Sequence, residues 1–319
     1  MMKRGFLIAL AAVVVAGVVG ATVSTWADMK AVSQGTLLAL WTLPALISIH
    51  LVQLFLSSIA WRGLFTSDDP GIGLYFRIRL IREGIDSLFP VAQVGGEVVG
   101  ARMLIKRGIP GAQAGASVIV DVSLEVLSQA AFLLTGIAML GIVAGSDRST
   151  AWLGTLAVAV VAVGVFLLAL RFGLLRLLEL LVERIGQQFP DLANLSLNGL
   201  HAAAAALYRR GRALSRATVL HFVAWMLGSL ETWIILYALG IPASLSKALV
   251  VESLGMAART AGFAIPGALA VQEGGFALAA LSVGIPEAAG LSISLVKRVR
   301  EILIGIAGVT LGWVGGGFR

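Results

Sequence analysis

The stretch FPVAQVGGEVVGARMLIKRGIP (residues 89–110) decides how the chain is organised, because it recurs in outline as IPGALAVQEGGFALAALSVGIP (residues 265–286). In both copies a proline is followed seven residues later by a glutamate, and Gly-Ile-Pro begins eleven residues after that glutamate. Further along the chain, Glu125 matches Glu301 in the same register, without a gap. This ungapped agreement indicates an internal duplication.

The composition of the 319-residue chain excludes a water-soluble protein. Hydrophobic residues make up 58% of the chain and charged residues only 13%, whereas soluble domains carry roughly 25% charged residues. With no cysteine and only three histidines, which lie far apart, the sequence predicts no metal site, and it contains no cofactor-binding fingerprint. The net charge of +7 suggests nucleic acid at first, but basic residues mark topology in a membrane protein, so we expect no nucleic-acid partner.

Long apolar stretches predict an all-α polytopic membrane protein with about six full spans, each of which needs about 20 apolar residues. The stretches lie near residues 5–27, 36–61, 110–145, 151–171, 216–240 and 287–316. The apolar run of the first stretch is longer than that of a cleaved signal peptide, which is the alternative, so we interpret it as a retained helix. Residues 1–319 then form a single transmembrane domain.

Basic residues cluster in every second loop, and this alternation predicts that both termini are cytoplasmic. The segment 172–215 carries a leucine stripe opposite charged residues, which indicates an amphipathic segment on the cytoplasmic surface. Its arginine cluster favours a topology anchor beside anionic headgroups, and a specific lipid-headgroup site is the alternative. The cluster consists of Arg209, Arg210, Arg212 and Arg216.

Two segments, 71–109 and 243–285, are moderately apolar but interrupted by charge, proline and glycine. They are either surface loops or re-entrant hairpins, and the duplication favours hairpins. Each repeat unit then contains a span, a broken hairpin and a span, within 36–145 and 216–316. An odd number of crossings separates the units, so we expect an inverted repeat, as in many secondary transporters. The hairpin bends are predicted at Pro90, Gly95, Gly96, Pro266 and Gly267.

Ionisable and amide side chains at membrane depth are the candidates for a substrate path. In the first unit they are Arg79, Arg82, Asp86, Gln93, Glu97, Asp121, Glu125 and Gln129, and in the second unit they are Arg259, Gln272, Glu273, Lys297, Arg298 and Glu301. Arginine suits a phosphate-bearing headgroup, and the alternative is that these residues form ion pairs that lock the helices together. We interpret His50 and His221 as packed hydrogen-bonding residues rather than ligands.

Two motifs resemble the signatures of the lysylphosphatidylglycerol synthase transmembrane, or flippase-like, family. Residues 89–97, followed by Gly100-Ala101-Arg102, resemble the first signature, and residues 266–275 resemble the second. The form Pro-Val-Ala-Gln-Val-Gly-Gly-Glu, with Asp121, Glu125 and Gln129 downstream, is most similar to the hopanoid-biosynthesis-associated subgroup. The resemblance implies a bacterial inner-membrane protein that moves or handles lipids.

The second motif departs from the family pattern at three positions. Ala268 and Ala270 stand where the signature usually has glycine, and Gln272 stands where it has arginine. The resemblance therefore does not imply a functional basic residue directly beside Glu273 in this chain.

We therefore expect a lipid translocase or transporter that moves a hopanoid or another polar lipid between leaflets, with membrane lipids as its partners. Two alternatives stay open: a membrane-embedded lipid-modifying enzyme, and a scaffold that binds hopanoid-biosynthesis enzymes. The sequence contains no catalytic motif, and the family resemblance does not imply that this chain transfers aminoacyl groups. We therefore expect no enzymatic activity.

Overall fold

The structure is a computed structural model, and it describes residues 26–65, 70–88, 95–144, 197–262, 268 and 270–314. Helices account for the regular structure of these residues. They are α1 (Trp26–Ala39), α2 (Leu43–Arg62), α3 (Ile72–Leu88), α4 (Gly95–Ile105), α5 (Gly111–Ala144), α6 (Leu197–Tyr208), α7 (Gly211–Ala238), α8 (Leu245–Ala261), α9 (Val271–Ser282) and α10 (Glu287–Val314). A short 3-10 turn, Leu40–Thr42, joins α1 to α2.

Three helical stretches are long and apolar enough to cross a membrane: Met29–Arg62, Gly111–Val143 and Gly211–Ala238. They coincide with the predicted spans near 36–61, 110–145 and 216–240. The first stretch begins earlier than predicted, because the chain stays helical through polar residues whose side chains are exposed. The predicted spans near 5–27 and 151–171 lie almost wholly outside the described residues, as does most of the amphipathic segment 172–215.

The last predicted span, near 287–316, forms the single long helix α10 but is not among these three stretches. Its middle carries Lys297, Arg298, Arg300 and Glu301, which raise its charge above that of an ordinary lipid-exposed span. Lys297, Arg300 and Glu301 are buried inside the protein, so the charged face of α10 points away from the surroundings.

The helix boundaries repeat in the same register as the sequence motif. The offset that relates Glu125 to Glu301 also relates the end of α2 to the end of α7, and the starts of α4 and α5 to those of α9 and α10. In each unit, therefore, a long helix is followed by a pair of shorter helices and a second long helix. The two broken segments are helix pairs, α3 with α4 and α8 with α9. Their opposite orientation in the membrane stays a prediction.

The turn before each second long helix is the same in both units, since Gly108 and Gly284 adopt positive φ angles of 88° and 75°. Only glycine adopts this left-handed backbone at little cost. The next residue then donates a backbone hydrogen bond to the carbonyl five residues before it, from Ile109 to Leu104 and from Ile285 to Ala280. These bonds close the preceding helix, and the proline that follows suits the first turn of the next helix.

The two units interlock rather than lie side by side. Helix α3 of the first unit packs along α10 of the second, α8 of the second packs along α5 of the first, and the equivalent helices α2 and α7 pack on each other. Close approach of α3 and α10 requires glycine, because a Cβ on Gly84 would lie 2.6 Å from the carbonyl oxygen of Gly305. This reciprocal packing places the long helices of both units around one centre.

The predicted hairpin bends are only partly described. Pro90, Pro266 and Gly267 lie outside the described residues, whereas Gly95 and Gly96 form the first turn of α4. The backbone N–H of Gly96 donates to Asp86 Oδ1 at 2.9 Å, and a Cβ at this glycine would collide with the Asp86 side chain. Asp86, predicted to lie in a substrate path, therefore satisfies a free N–H at the start of α4.

Two alanines before α9 adopt backbone angles that favour glycine. Ala268 has a φ of 48° and Ala270 a φ of 65°, and these are the two positions where the family signature usually has glycine. A side chain on left-handed backbone costs roughly 1–2 kcal/mol per residue. The alanines thus lower the stability of this turn.

Replacing Ala270→Gly should raise the free energy of unfolding by about 1 kcal/mol, because glycine accepts a positive φ without strain. Thermal unfolding of the purified protein in detergent measures this change. The matched control is Ala205→Gly at an exposed position within α6, where glycine should instead lower the stability by about 0.5–1 kcal/mol. Equal destabilisation by both changes would contradict the strain at Ala270.

Candidate functional site

A cavity of about 230 Å³ lies between the two repeat units. Its wall is formed by side chains of α2, α3, α5, α7, α8 and α10, so both units contribute to it. The charged and titratable residues of the wall are His50, Glu83, Glu125, His221, Glu231, Glu252, Arg259, Arg300 and Glu301. A cavity so rich in ionisable groups, inside an apolar protein, is a candidate functional site.

The cavity wall contains residue pairs that the duplication relates. Glu125 corresponds to Glu301, and Glu83 corresponds to Arg259 in the same register. Equivalent positions of both units therefore face one space, as expected if the cavity lies where the units meet. Three of the predicted path residues are in this wall: Glu125, Arg259 and Glu301.

On one side of the cavity lies a group of connected ion pairs, which we term the first network. It consists of Arg79, Arg82, Glu97, Asp121, Glu125 and His221. Arg79 pairs with Asp121 and, at 3.0 Å, with Glu125. Arg82 lies 2.8 Å from Glu97 and 3.6 Å from Asp121, whose other oxygen accepts from His221 Nε2 at 3.1 Å. Asp121 is completely buried, and these partners compensate its charge.

The two guanidinium groups of the first network rest on an aromatic side chain. The Arg82 guanidinium lies 5.1 Å and that of Arg79 5.8 Å from the centroid of the Trp61 ring. Trp61 is fully buried, and its indole N–H donates to Ser117 Oγ at 3.1 Å. A cation over an indole face is attracted by the electrons of the ring, so Trp61 supports both arginines without adding a charge.

On the other side lies the second network. It consists of His50, Glu83, Glu231, Glu252, Arg259, Glu273, Lys297, Arg298, Arg300 and Glu301. Lys297 Nζ lies 2.9 Å from Glu231 and 3.0 Å from Glu252, and Arg300 also pairs with Glu231. The Thr232 hydroxyl donates to Glu252 Oε2 at 2.5 Å.

The rest of the second network extends along α10. Arg259 pairs with Glu301, and Arg298 Nε donates to Glu273 at 3.0 Å. Arg298 therefore supplies a cation for Glu273 although Gln272 replaces the arginine of the family signature. The amide of Gln272 donates instead to Ser294 Oγ at 3.2 Å and ties α9 to α10.

The remaining predicted residues connect helices or are not described. Gln129 donates to Thr260 Oγ1 at 2.5 Å and to the Met256 carbonyl at 3.3 Å, and thereby joins α5 to α8. Gln93 lies outside the described residues.

Asp121 and Lys297 occupy equivalent positions of the repeat, and each pairs with partners in its own network rather than with the other.

The arginines predicted to line a substrate path are already paired with carboxylates, so the described networks contain no arginine held apart for a phosphate. Arg79, Arg82, Arg259 and Arg298 all have acidic partners within 4.0 Å. A phosphate would have to displace a buried carboxylate from its arginine, which is costly.

Sequence reasoning missed Glu231 and Glu252, which are both buried and both in the cavity wall. For Glu231 the signal was present, since a carboxyl group within an apolar span such as 216–240 is a functional candidate by default. His50 and His221 were expected to pack, and both also line the cavity.

These features define a class of protein: a helical membrane protein whose duplicated halves enclose a charged cavity. The chain belongs to the lysylphosphatidylglycerol synthase transmembrane family, because the family model described as "Lysylphosphatidylglycerol synthase TM region" matches residues 6–308. The predicted family is thereby confirmed, and the family indicates a membrane protein that acts on lipids. No curated protein and no solved structure matches the chain.

Replacing Lys297→Met should lower the free energy of unfolding by about 3–5 kcal/mol, because it leaves Glu231 and Glu252 buried without their shared ammonium group. Denaturant unfolding in detergent measures the loss. The exposed Lys30→Met in α1 is the control and should change stability by less than about 0.5 kcal/mol.

The double variant Lys297→Met with Glu252→Gln removes one charge of each sign, and it should recover a large part of the lost stability. If the double variant is no more stable than Lys297→Met alone, the carboxylate of Glu252 is not what the lysine compensates.

Proposed function

We propose that this protein is a lipid translocase that moves a hopanoid or another polar lipid between the leaflets of a bacterial inner membrane. The headgroup would pass through the cavity between the two repeat units while the hydrocarbon part stays in the bilayer. The observation that carries this proposal is a charged cavity whose wall contains equivalent residues of both units, Glu125 and Glu301.

The polarity of the protein supports a path for a headgroup. Large apolar side chains face outward on several helices, among them Leu37, Ile142, Tyr237, Leu278 and Trp313. The centre holds the carboxylates, arginines and histidines of the two networks. Lipid hydrocarbon therefore meets an apolar surface, and a polar group finds hydrogen-bonding partners in the interior.

The size of the cavity supports a headgroup rather than a whole lipid. Pockets that enclose a drug-sized ligand measure roughly 300–1,000 Å³. A cavity of about 230 Å³ therefore suits a compact polar group, such as a polyol or an amine-bearing headgroup. The pairing of the described arginines with carboxylates favours these groups over a bare phosphate.

The duplication supports alternating access to both leaflets. Inverted repeats with broken helices at matching places surround the substrate sites of many transporters, and one unit rocks against the other. The reciprocal packing of α3 with α10 and of α5 with α8 would allow either pair to separate while the other holds. With both termini cytoplasmic, as the basic loops predict, the two openings would face opposite leaflets.

The family and the motif support the choice of lipid. The family is named for lysylphosphatidylglycerol synthase. The hopanoid assignment rests on the Pro90–Glu97 motif and on Asp121, Glu125 and Gln129, of which the last three join helices near the cavity.

A lipid-modifying enzyme is the second candidate, and one observation favours it. The cavity brings two imidazoles and five carboxyl groups of the described residues to one place, the kind of groups that serve as general acids and bases. Formation of a new product from labelled lipid by the pure protein would support the enzyme, and leaflet exchange without any product would support the translocase.

Vesicles that contain the purified protein and a labelled hopanoid or phospholipid test the proposal. Glu125→Gln and Glu301→Gln should each slow leaflet exchange by about tenfold or more, because a headgroup loses a charge-assisted hydrogen bond. Glu287→Gln at the exposed start of α10 is the control and should exchange lipid at the unaltered rate.

Exchange no faster than in protein-free vesicles, for hopanoid and phospholipid alike, would overturn the translocase. A scaffold for hopanoid-biosynthesis enzymes would give that result, and it would further require that changes within 172–215, rather than changes in the cavity, abolish function.

A further inference from the structure

Among the described residues, each of the two networks has more carboxyl groups than guanidinium and ammonium groups together. The first network has three carboxyl groups against two guanidinium groups, and the second has five carboxyl groups against three guanidinium groups and one ammonium group. Each network therefore has one carboxyl group in excess. Each also contains one histidine, His221 in the first and His50 in the second. One added proton in each network would balance this count, and each network has a histidine that can bind it.

The hydrogen bonds of His50 define which ring nitrogen is available to a proton. The side-chain amide of Gln53 donates to the Ala224 carbonyl at 3.0 Å, which turns its oxygen toward His50 Nδ1 at 2.7 Å. Nδ1 must therefore carry a hydrogen and donate it to Gln53. The other nitrogen, Nε2, has no hydrogen-bond partner among the described residues and lies 3.5 Å from Glu83 Oε1. A proton taken up at Nε2 would face this carboxylate.

His221 has the same kind of environment in the first network. Its Nε2 donates to Asp121 at 3.1 Å, and its Nδ1 is buried without a partner among the described residues. The residue is 1% exposed and lines the cavity. A second proton on this ring would go to Nδ1. Each of these two histidines thus has one ring nitrogen without a hydrogen bond to a described residue, and histidine is a common proton carrier in proteins.

The histidines connect each network to the opposite repeat unit. His50 lies on α2 and His221 on α7, which are equivalent helices of the two units. His50 belongs to the network that is built mainly on the second unit, and His221 to the network built on the first. Protonation of either ring would therefore change the attraction between the units, and relative movement of the units is what alternating access requires.

The charged groups that face the cavity from the surrounding helices are mostly acidic. Negative groups outnumber positive ones among the described residues of the wall: Glu83 of α3, Glu125 of α5, Glu231 of α7, Glu252 of α8 and Glu301 of α10 against Arg259 of α8 and Arg300 of α10. Glu231 Oε1 is buried without a hydrogen bond among these residues and lies 4.0 Å from His50 Nδ1. Carboxyl groups on five helices therefore face the same space as the two rings.

We propose that His50 and His221 bind the protons to which lipid transfer is coupled, so that the protein is a proton-coupled translocase. This inference rests on the proposed function. In the binding step a proton from water adds to Nε2 of His50 or Nδ1 of His221, and the neutral ring becomes a cation. In the release step the same nitrogen returns the proton to the opposite aqueous phase, after the units have moved.

Vesicles with a pH difference of about one unit across the membrane test the coupling. Uncoupled exchange gives equal lipid concentrations in the two leaflets whatever the pH difference. Coupling of each lipid to one proton allows the lipid concentrations of the two leaflets to differ by up to about tenfold. We expect the unaltered protein to build such an asymmetry and His50→Gln and His221→Gln each to diminish or abolish it. His201→Gln, at an exposed position of α6 outside both networks, is the control and should keep the asymmetry.

The outcomes separate this inference from the proposed function. Exchange that leaves the lipid symmetrical despite the gradient would overturn the coupling and leave the translocase standing, whereas no exchange at all would overturn the translocase itself. Asymmetry that persists in the variants of both His50 and His221 would show that the protons bind elsewhere.

A measurement on the unaltered protein covers the case in which a variant fails to fold. Nitrogen NMR of histidine-labelled protein distinguishes rings with one proton from rings with two. We expect the signals of His50 and His221 to pass from the form with one proton to the form with two as the pH is lowered. If both rings keep a fixed number of protons throughout, they are not the coupling sites.

Discussion

Compensation of buried charge is the constraint on which the rest of this structure depends. A carboxylate or guanidinium group at membrane depth cannot face lipid, so it must meet an opposite charge inside the protein. Helix α10 is the clearest case, since Lys297 and Arg300 both pair with Glu231 of α7. Such a helix is stable in the membrane only when its partners are in place. The described helices therefore surround their charges and turn their apolar faces outward.

The same constraint explains the cavity. The long helices of the two repeat units meet at the centre, and their ionisable side chains are turned there because they have no other acceptable surroundings. Side chains that satisfy one another across a gap leave a space that is polar on several sides. Glu125 and Glu301, at equivalent positions, face it from α5 and α10. A polar headgroup that enters the space would find the contacts that the bilayer interior denies it, and this is the physical basis of the proposed function.

The boundaries of the two repeat units could be predicted from the sequence because specific turn residues mark them. The glycine before each second long helix has to adopt a positive φ, and the proline that follows begins that helix, so Gly108 and Gly284 mark the same turn in both units. The spans that become α5 and α7 were predicted from the length of their apolar stretches, because a helix must be long enough to cross the hydrocarbon core of the bilayer. Helix α10 was predicted as a span from its length, and the structure shows that its charges are largely buried. The helix boundaries could thus be predicted because they depend on residues that are close together in the sequence.

Pairing could not be predicted in the same way, because ion partners lie far apart in the chain. Asp121 meets His221, 100 residues further on, and Lys297 meets Glu231, 66 residues before it. Asp121 and Lys297 occupy equivalent positions of the repeat, yet they lie in different networks. Glu252 was missed for a related reason, since only the folded arrangement brings it to Lys297. Only tertiary packing reveals such contacts.

The central claim is that a lipid headgroup enters the cavity while the hydrocarbon part stays outside, and crosslinking with photoreactive lipids tests it most directly. One lipid carries the reactive group on its headgroup and a second carries it at the end of the hydrocarbon chain. The headgroup probe should label cavity-lining residues such as Ser57 and Trp225, and the chain probe should label outward residues such as Leu278. Labelling of outward residues alone by both probes would contradict the claim.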